Sequence, residues 1–146
     1  MVLPASSSLL EGKERTLSEQ LELVYRRYIA ALNDRRLDDL DQFVHDRLAY
    51  NGEEWTREQY EALLADDVRN VPDLHYDIQL LVVGPDHVAC RLWFDCTPRH
   101  EFLGVDAGGR RVSFAEHAFY RFRAGRIESV WSLIDTDGVR RQLAER

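Results

Sequence analysis

The chain has 146 residues, a formal net charge of −7 at neutral pH and 45% hydrophobic side chains. That length fits one domain able to bury a core without disulfide or metal staples. The acidic balance argues against binding to a nucleic-acid backbone, which calls for a basic face, and no stretch approaches the roughly 20 apolar residues of a membrane-spanning helix.

Met1 to Arg15 holds Ala5-Ser6-Ser7-Ser8 and then a charged run. It lacks the basic start and sustained apolar stretch of a signal peptide. Residues 1–15 therefore read as a flexible tail ahead of a domain over 16–146, and the expected location is cytoplasmic. Thr16-Leu17-Ser18-Glu19 fits a capping box. Leu17, Leu21, Val24, Tyr25, Tyr28, Ile29 and Leu32 follow at helical spacing until Asn33-Asp34. A second helix is expected to carry Leu37, Leu40, Phe43 and Val44 on one stripe. Leu48 to Asn51 reads as a short extended piece closed by Asn51-Gly52. Thr56 with Gln59 forms another capping box, opening a helix with Tyr60, Leu63, Leu64 and Val68 inward, which Pro72 stops.

Beyond Pro72 the pattern turns to β. His75 to Val83 and His87 to Cys96 are apolar-rich strands joined by Gly84-Pro85-Asp86. A glycine-containing loop leads to a second hairpin, Arg111 to Phe122 and Arg126 to Asp135, and a short helix begins near Asp137. Helices first and an antiparallel meander afterwards give an α+β domain with the helices on one face of the sheet; no crossover helices between strands announce a parallel sheet. Cys90 and Cys96 fall on one face of one strand and read as buried small hydrophobes.

The last hairpin turns at Arg123-Ala124-Gly125. A two-residue primed turn would hold Ala124 at positive φ, which an alanine resists, so a type I turn with Gly125 left-handed is expected, pairing Phe122 with Arg126. His117 then faces Trp131, and Ser113 faces Asp135. Ser113, Ala115, His117, Phe119, Ile127, Ser129, Trp131, Leu133 and Asp135 share one face. Val112, Phe114, Glu116, Ala118, Tyr120, Phe122, Val130, Ser132 and Ile134 share the other. A one-residue slip would exchange His117 for Glu116.

Phe102-Leu103-Gly104-Val105, Gly109-Arg110-Arg111-Val112, Tyr120-Arg121-Phe122-Arg123-Ala124-Gly125-Arg126-Ile127, Trp131-Ser132-Leu133-Ile134-Asp135 and Gln142-Leu143, in that order, resemble the SnoaL-like polyketide (ester) cyclase family of the nuclear transport factor two-like superfamily. The resemblance implies a cone-shaped α+β fold, with N-terminal helices packed on a curved antiparallel sheet around a pocket, and often a homodimer through the outer sheet face. It implies a cofactor-free intramolecular aldol closure of a small carbonyl-bearing substrate, with an aspartate on the last strand as general acid/base. Asp135 matches that aspartate in the Trp-x-x-x-Asp arrangement. Where many relatives read Gly-Thr-His, this chain reads Cys96-Thr97-Pro98, with His100 two residues on.

An aldol closure needs a base for a C–H and then an acid for the new alkoxide. One carboxyl serves as both if its surroundings tune it towards the working pH. Asp135 is the catalytic candidate; the plainer reading has it capping the last helix. His117 shares its face, about 13 Å away at strand rise in the expected register. Tyr28 on the inner stripe of the first helix, Asn51 at its turn, and Arg91 and Trp93 on one strand face join His117 and Trp131 as candidate substrate contacts. Their plainer readings are a core tyrosine, a simple turn, a dimer interface and a backbone-bonded histidine. The five histidines show no metal spacing, and no phosphate loop or nucleophile elbow appears. Two other functions fit the same residues: a non-catalytic domain for small-molecule binding or dimerisation, and an isomerase or hydrolase using the same aspartate.

Overall fold

The computed structural model describes residues 15–144; apart from Arg15, the expected tail lies outside the described residues. The first helix, α1 (Leu17–Asn33), starts as the sequence predicts. The Thr16 side chain accepts the Glu19 amide at 3.0 Å, and Glu19 reciprocates to the Thr16 amide. Leu21, Tyr25, Tyr28, Ile29 and Leu32 form its buried stripe. The expected second helix is a six-residue 3-10 helix (Leu37–Gln42), and Val44 opens a strand instead of extending it. That strand, β1 (Val44–Tyr50), turns back at Asn51-Gly52, both at positive φ (48° and 85°), into β2 (Glu53–Thr56). The second capping box then opens α2 (Arg57–Asn70), with the Thr56 side chain accepting the Gln59 amide.

The remaining strands are β3 (Asp77–Val83), β4 (His87–Cys96), β5 (Glu101–Phe102), β6 (Val105–Asp106), β7 (Val112–Arg123) and β8 (Arg126–Ile134), followed by α3 (Thr136–Ala144). Six of the strands form one sheet in the order β2-β1-β8-β7-β4-β3, while β5 and β6 make a separate small hairpin. The α+β class holds, with helices covering one face of a curved sheet. One pairing departs from the antiparallel expectation: β1 runs parallel to β8. The chain between them passes through α2 and six other strands, so this crossover has no local signature. No helix among the described residues is long and apolar enough to cross a membrane.

The last hairpin corrects the expected register. Arg123 pairs with Arg126, so the turn is the two-residue Ala124-Gly125, both at positive φ (52° and 76°). A bulge then absorbs one residue near Glu128, and from Arg121↔Ser129 onward the pairs run Phe119↔Trp131, His117↔Leu133 and Glu116↔Ile134. The alternation keeps its parity, so the expected faces stand except at Ile127, which pairs with Phe122 and is buried. Pairing along two long strands outweighs the local cost of a left-handed alanine, about 1–2 kcal/mol.

The covered face carries Val88, Cys90, Leu92, Phe94 and Cys96 of β4, and Val112, Phe114, Ala118, Tyr120 and Phe122 of β7, all buried. Cys90 and Cys96 are free thiols there. Glu116 interrupts this apolar alternation on β7. The opposite face leaves Leu80, Val82, Phe119, Trp131 and Leu133 exposed.

Candidate active site

Between the helices and the covered face lies a chamber of about 210 Å³, lined by Tyr28 of α1, Tyr60, Leu63, Leu64 and Asp67 of α2, Tyr50 of β1, Glu116 and Tyr120 of β7, and Ser132 of β8. A lobe of about 90 Å³ continues from it past Phe94, Phe102 and Phe114 and shares Asp67, Tyr76, Leu103, Glu116 and Ile134. Leu103 sits at the tip of the β5–β6 hairpin in the left-handed region (φ 52°), where a bulky side chain is uncommon.

Two carboxyls face this space. The Glu116 Oε2 accepts a hydrogen bond from Ser132 Oγ at 2.5 Å. Ser132 is fixed in turn, its amide donating to Asn51 Oδ1 at 2.8 Å. Burial raises the Glu116 carboxyl above the ordinary glutamate value, and the Ser132 hydrogen bond pulls the other way. Asp67 is pushed up to about 6, first by desolvation, then by repulsion from Glu116 and from Asp66. Asp67 is itself exposed, so it stands at the chamber mouth, crowded by the walls on one side and open to solvent on the other.

Tyrosines supply the other polar atoms. The Tyr28 and Tyr60 hydroxyls bond each other at 2.6 Å, and Tyr25 Oη donates to Tyr120 Oη at 3.4 Å. Asn33, at the end of α1, clamps the Tyr76 backbone from both sides, accepting its amide at 2.7 Å and donating to its carbonyl at 3.0 Å. Tyr76 is only 8% exposed and lines both lobes. Burial pushes Tyr28, Tyr60, Tyr76 and Tyr120 up, so each stays an O–H donor at neutral pH and the carboxyls are the available bases. Among the described residues no Lys, Arg or His lines either lobe, and no group of three or more His, Cys, Asp or Glu is placed to hold a metal ion. The arrangement can move a proton and hydrogen-bond an oxygen that gains charge.

The residues singled out from sequence part company. Tyr28 alone enters the chamber, 1% exposed. Asn51 keeps its turn and braces Ser132 from outside. Asp135 is exposed, contrary to the expectation of a buried acid in an enclosed pocket: its Oδ1 accepts the Gly138 amide at 3.0 Å as the N-cap of α3. With Arg91, Trp93 and His117 it lines an open cleft of about 650 Å³ between the uncovered sheet face and α3. There Arg91 donates through its Nη1 to His117 Nε2 at 2.7 Å and through Nε to Gln79 Oε1 at 2.6 Å. Arginine has no acceptor, so that ring nitrogen is the unprotonated one. Trp131, 42% exposed, stands on the same outer face opposite Phe119. The physical reason is parity: His117 and Trp131 alternate with Glu116 and Ser132, and the helices cover the second pair.

Residues 22–143 match the family of SnoaL-like polyketide cyclases. This chain belongs to that family. A solved SnoaL-like polyketide cyclase from Agrobacterium tumefaciens shares 37% identity and superposes with a TM-score of 0.82, the match covering 89% of this chain and 99% of that one. TsrD from Streptomyces laurentii shares the fold at 24% identity and a TM-score of 0.78, over 91% of this chain and 98% of that one. The comparison with curated proteins finds no match.

For this SnoaL-like domain, sequence reasoning gave no functional weight to Asp67, Tyr60, Tyr76 or Ser132. Two signals pointed there. Asp67 lies seven, four and three residues after Tyr60, Leu63 and Leu64, so a carboxylate sits in the apolar stripe of α2. Glu116 likewise falls among Phe114, Ala118 and Tyr120 on alternate positions of β7. A charged side chain in an inward pattern marks either a site or a cost to the fold.

Proposed function

We propose that this protein is a cofactor-independent enzyme of the cyclase type, with Glu116 in the inner chamber as general acid/base on a small carbonyl-bearing substrate. The observation that carries the reading is an enclosed carboxyl, oriented by Ser132 Oγ at 2.5 Å and surrounded by tyrosine hydroxyls that remain protonated. Ionised Glu116 takes a proton from the carbon next to a substrate carbonyl. The enolate carbon attacks a second carbonyl of the same molecule, forming the C–C bond. The alkoxide so formed receives the proton back from Glu116, and the carboxylate is regenerated. Tyr76 or the Tyr28–Tyr60 pair donates to the enolate oxygen, where charge develops. The same carboxyl serves an isomerisation if the proton returns to a different carbon.

The competing reading places the reaction in the outer cleft with Asp135 as base, favoured by the grouping of Asp135, Arg91, Trp93 and His117 there. Two variants decide between them. Asn replaces Asp as an N-cap at little cost, so Asp135→Asn preserves α3. Turnover of an identified substrate is expected to fall about 10²–10⁴-fold in Glu116→Gln and to stay near wild type in Asp135→Asn. The reverse pattern moves the site to the cleft. Unchanged turnover in both variants, with circular dichroism showing intact folds, leaves neither carboxyl as the base.

The exposed apolar residues of the uncovered sheet face support a second proposal, that two copies pair through this face in the cytoplasm. The chamber opens on the other side of the sheet, so pairing leaves it free.

A further inference from the structure

We propose that the chamber takes a substrate bearing a protonated amine, with Asp67 holding the ammonium at the mouth and Glu116 meeting the carbonyl end inside. This rests on the inner chamber being the reaction site. It adds a charge and a direction to the ligand.

The first ground is electrostatic. Neither Asp67 nor Glu116 forms an ion pair with a described residue, and no cationic side chain lines either lobe. Asp66, the neighbour of Asp67 on α2, is already bound to Arg69. Glu116 faces Asp67 from β7, with the hydroxyls of Tyr60 and Tyr76 contributing no positive charge. Asp67 is exposed at the mouth and Glu116 is half-buried behind it; a carboxylate partly withdrawn from water without a counter-charge is costly, and a ligand cation entering past Asp67 supplies that counter-charge. An anionic ligand would enter against two carboxyls and a chain of net charge −7.

The second ground is independent of the acids. Tyr76 is more than nine-tenths buried, lines both lobes, and its hydroxyl bonds to no described residue. It offers a donor to an acceptor atom on the ligand, deeper than the mouth. The walls are tyrosine rings, whose faces attract cations. At about 210 Å³ the chamber falls below the roughly 300–1,000 Å³ typical of drug-sized sites, so one or two rings fill it. The ligand is thus a small aromatic or alicyclic amine with a hydrogen-bond acceptor at its far end.

Three probes of one shape test this by calorimetric titration of the intact chain at pH 7.5: naphthalen-2-ylmethylamine, naphthalen-2-ylmethanol and 2-naphthoate. The amine is expected to bind at least tenfold more tightly than the alcohol, and the carboxylate most weakly. At pH 5, below the Asp67 ionisation at about 6, the advantage of the amine narrows. Asp67→Asn is expected to cut it to under threefold at pH 7.5, and Asp67→Glu to retain most of it. The inference is overturned if the alcohol matches the amine, if 2-naphthoate binds as well, if Asp67→Asn keeps the tenfold advantage, or if no probe binds. Loss of turnover in Glu116→Gln without any amine preference sinks this inference and spares the catalytic assignment. An Asp67-dependent amine preference with full turnover in Glu116→Gln does the opposite.

Discussion

Glu116 concentrates the conflict between stability and chemistry at one side chain. Its ionisation is raised by burial above the ordinary value of 4.5, so the folded state holds its proton more tightly than the unfolded chain does. The linkage follows directly: the stability from this group is fully present below pH 4.5 and is lost as pH rises through the elevated folded value. Glutamine has the same shape, still accepts from Ser132 Oγ, and carries no charge. Glu116→Gln is therefore expected to raise thermal stability at pH 7.5 by about 1 kcal/mol, a few degrees in Tm for a domain of this size. The gain should vanish near pH 4, where both proteins are neutral at this position. Thermal denaturation at the two pH values checks it. A variant less stable than wild type at pH 7.5 would mean that the carboxylate serves the fold. Asp67 carries the same sign, with a raised value of about 6, but its accessible position makes its share of the stability smaller.

At the level of elements, α3 depends on a local bond. Asp135 caps it through the Gly138 amide at 3.0 Å, and a Cβ on Gly138 would run into the Asp135 carboxylate itself. Asp135→Ala and Gly138→Ala are each expected to cost about 0.5–2 kcal/mol, while Asp135→Asn costs little; urea denaturation of the three variants reads this. The β7–β8 turn makes the opposite prediction. Ala124 is held at φ 52°, so Ala124→Gly relieves a left-handed alanine and should stabilise by about 0.5–1 kcal/mol net of the glycine's added chain entropy. These local devices explain which parts of the fold were readable. Both capping boxes and the bounds of β4 lie within a few residues of sequence and were legible. The turn at Ala124 was misread because strand pairing dictated a conformation its own residues resist, and the β1–β8 pairing left no mark because its partners are some eighty residues apart. Alternation placed Glu116 and Ser132 on one face and His117 and Trp131 on the other, but it cannot say which face the helices cover. The resemblance drew attention to Asp135, whose position before Gly138 also spelled a helix cap.

For the whole molecule, the asymmetry between the two sheet faces remains. Scattered apolar residues on a surface are ordinary, whereas a contiguous set marks an interaction site. Here Leu80 and Val82 of β3, Phe119 of β7, and Trp131 and Leu133 of β8 are all exposed on one face, Leu133 at 74%. A second copy is the proposed occupant. In a two-fold pairing each residue near the axis meets its own counterpart or a close neighbour, so a single Leu133→Glu substitution puts two carboxylates into the interface at once. Leu133 is outside the chamber and mostly solvated in the lone chain, so the variant should fold normally and still bind whatever the chamber binds. Light scattering coupled to size exclusion is expected to give twice the 17.0 kDa chain mass for the wild type and the single-chain mass for Leu133→Glu at micromolar concentration. A wild type that runs as a monomer, or a variant that stays dimeric, removes this face as the interface. In either case the exposed Trp131 and the open cleft beside Asp135 become the surface to explain.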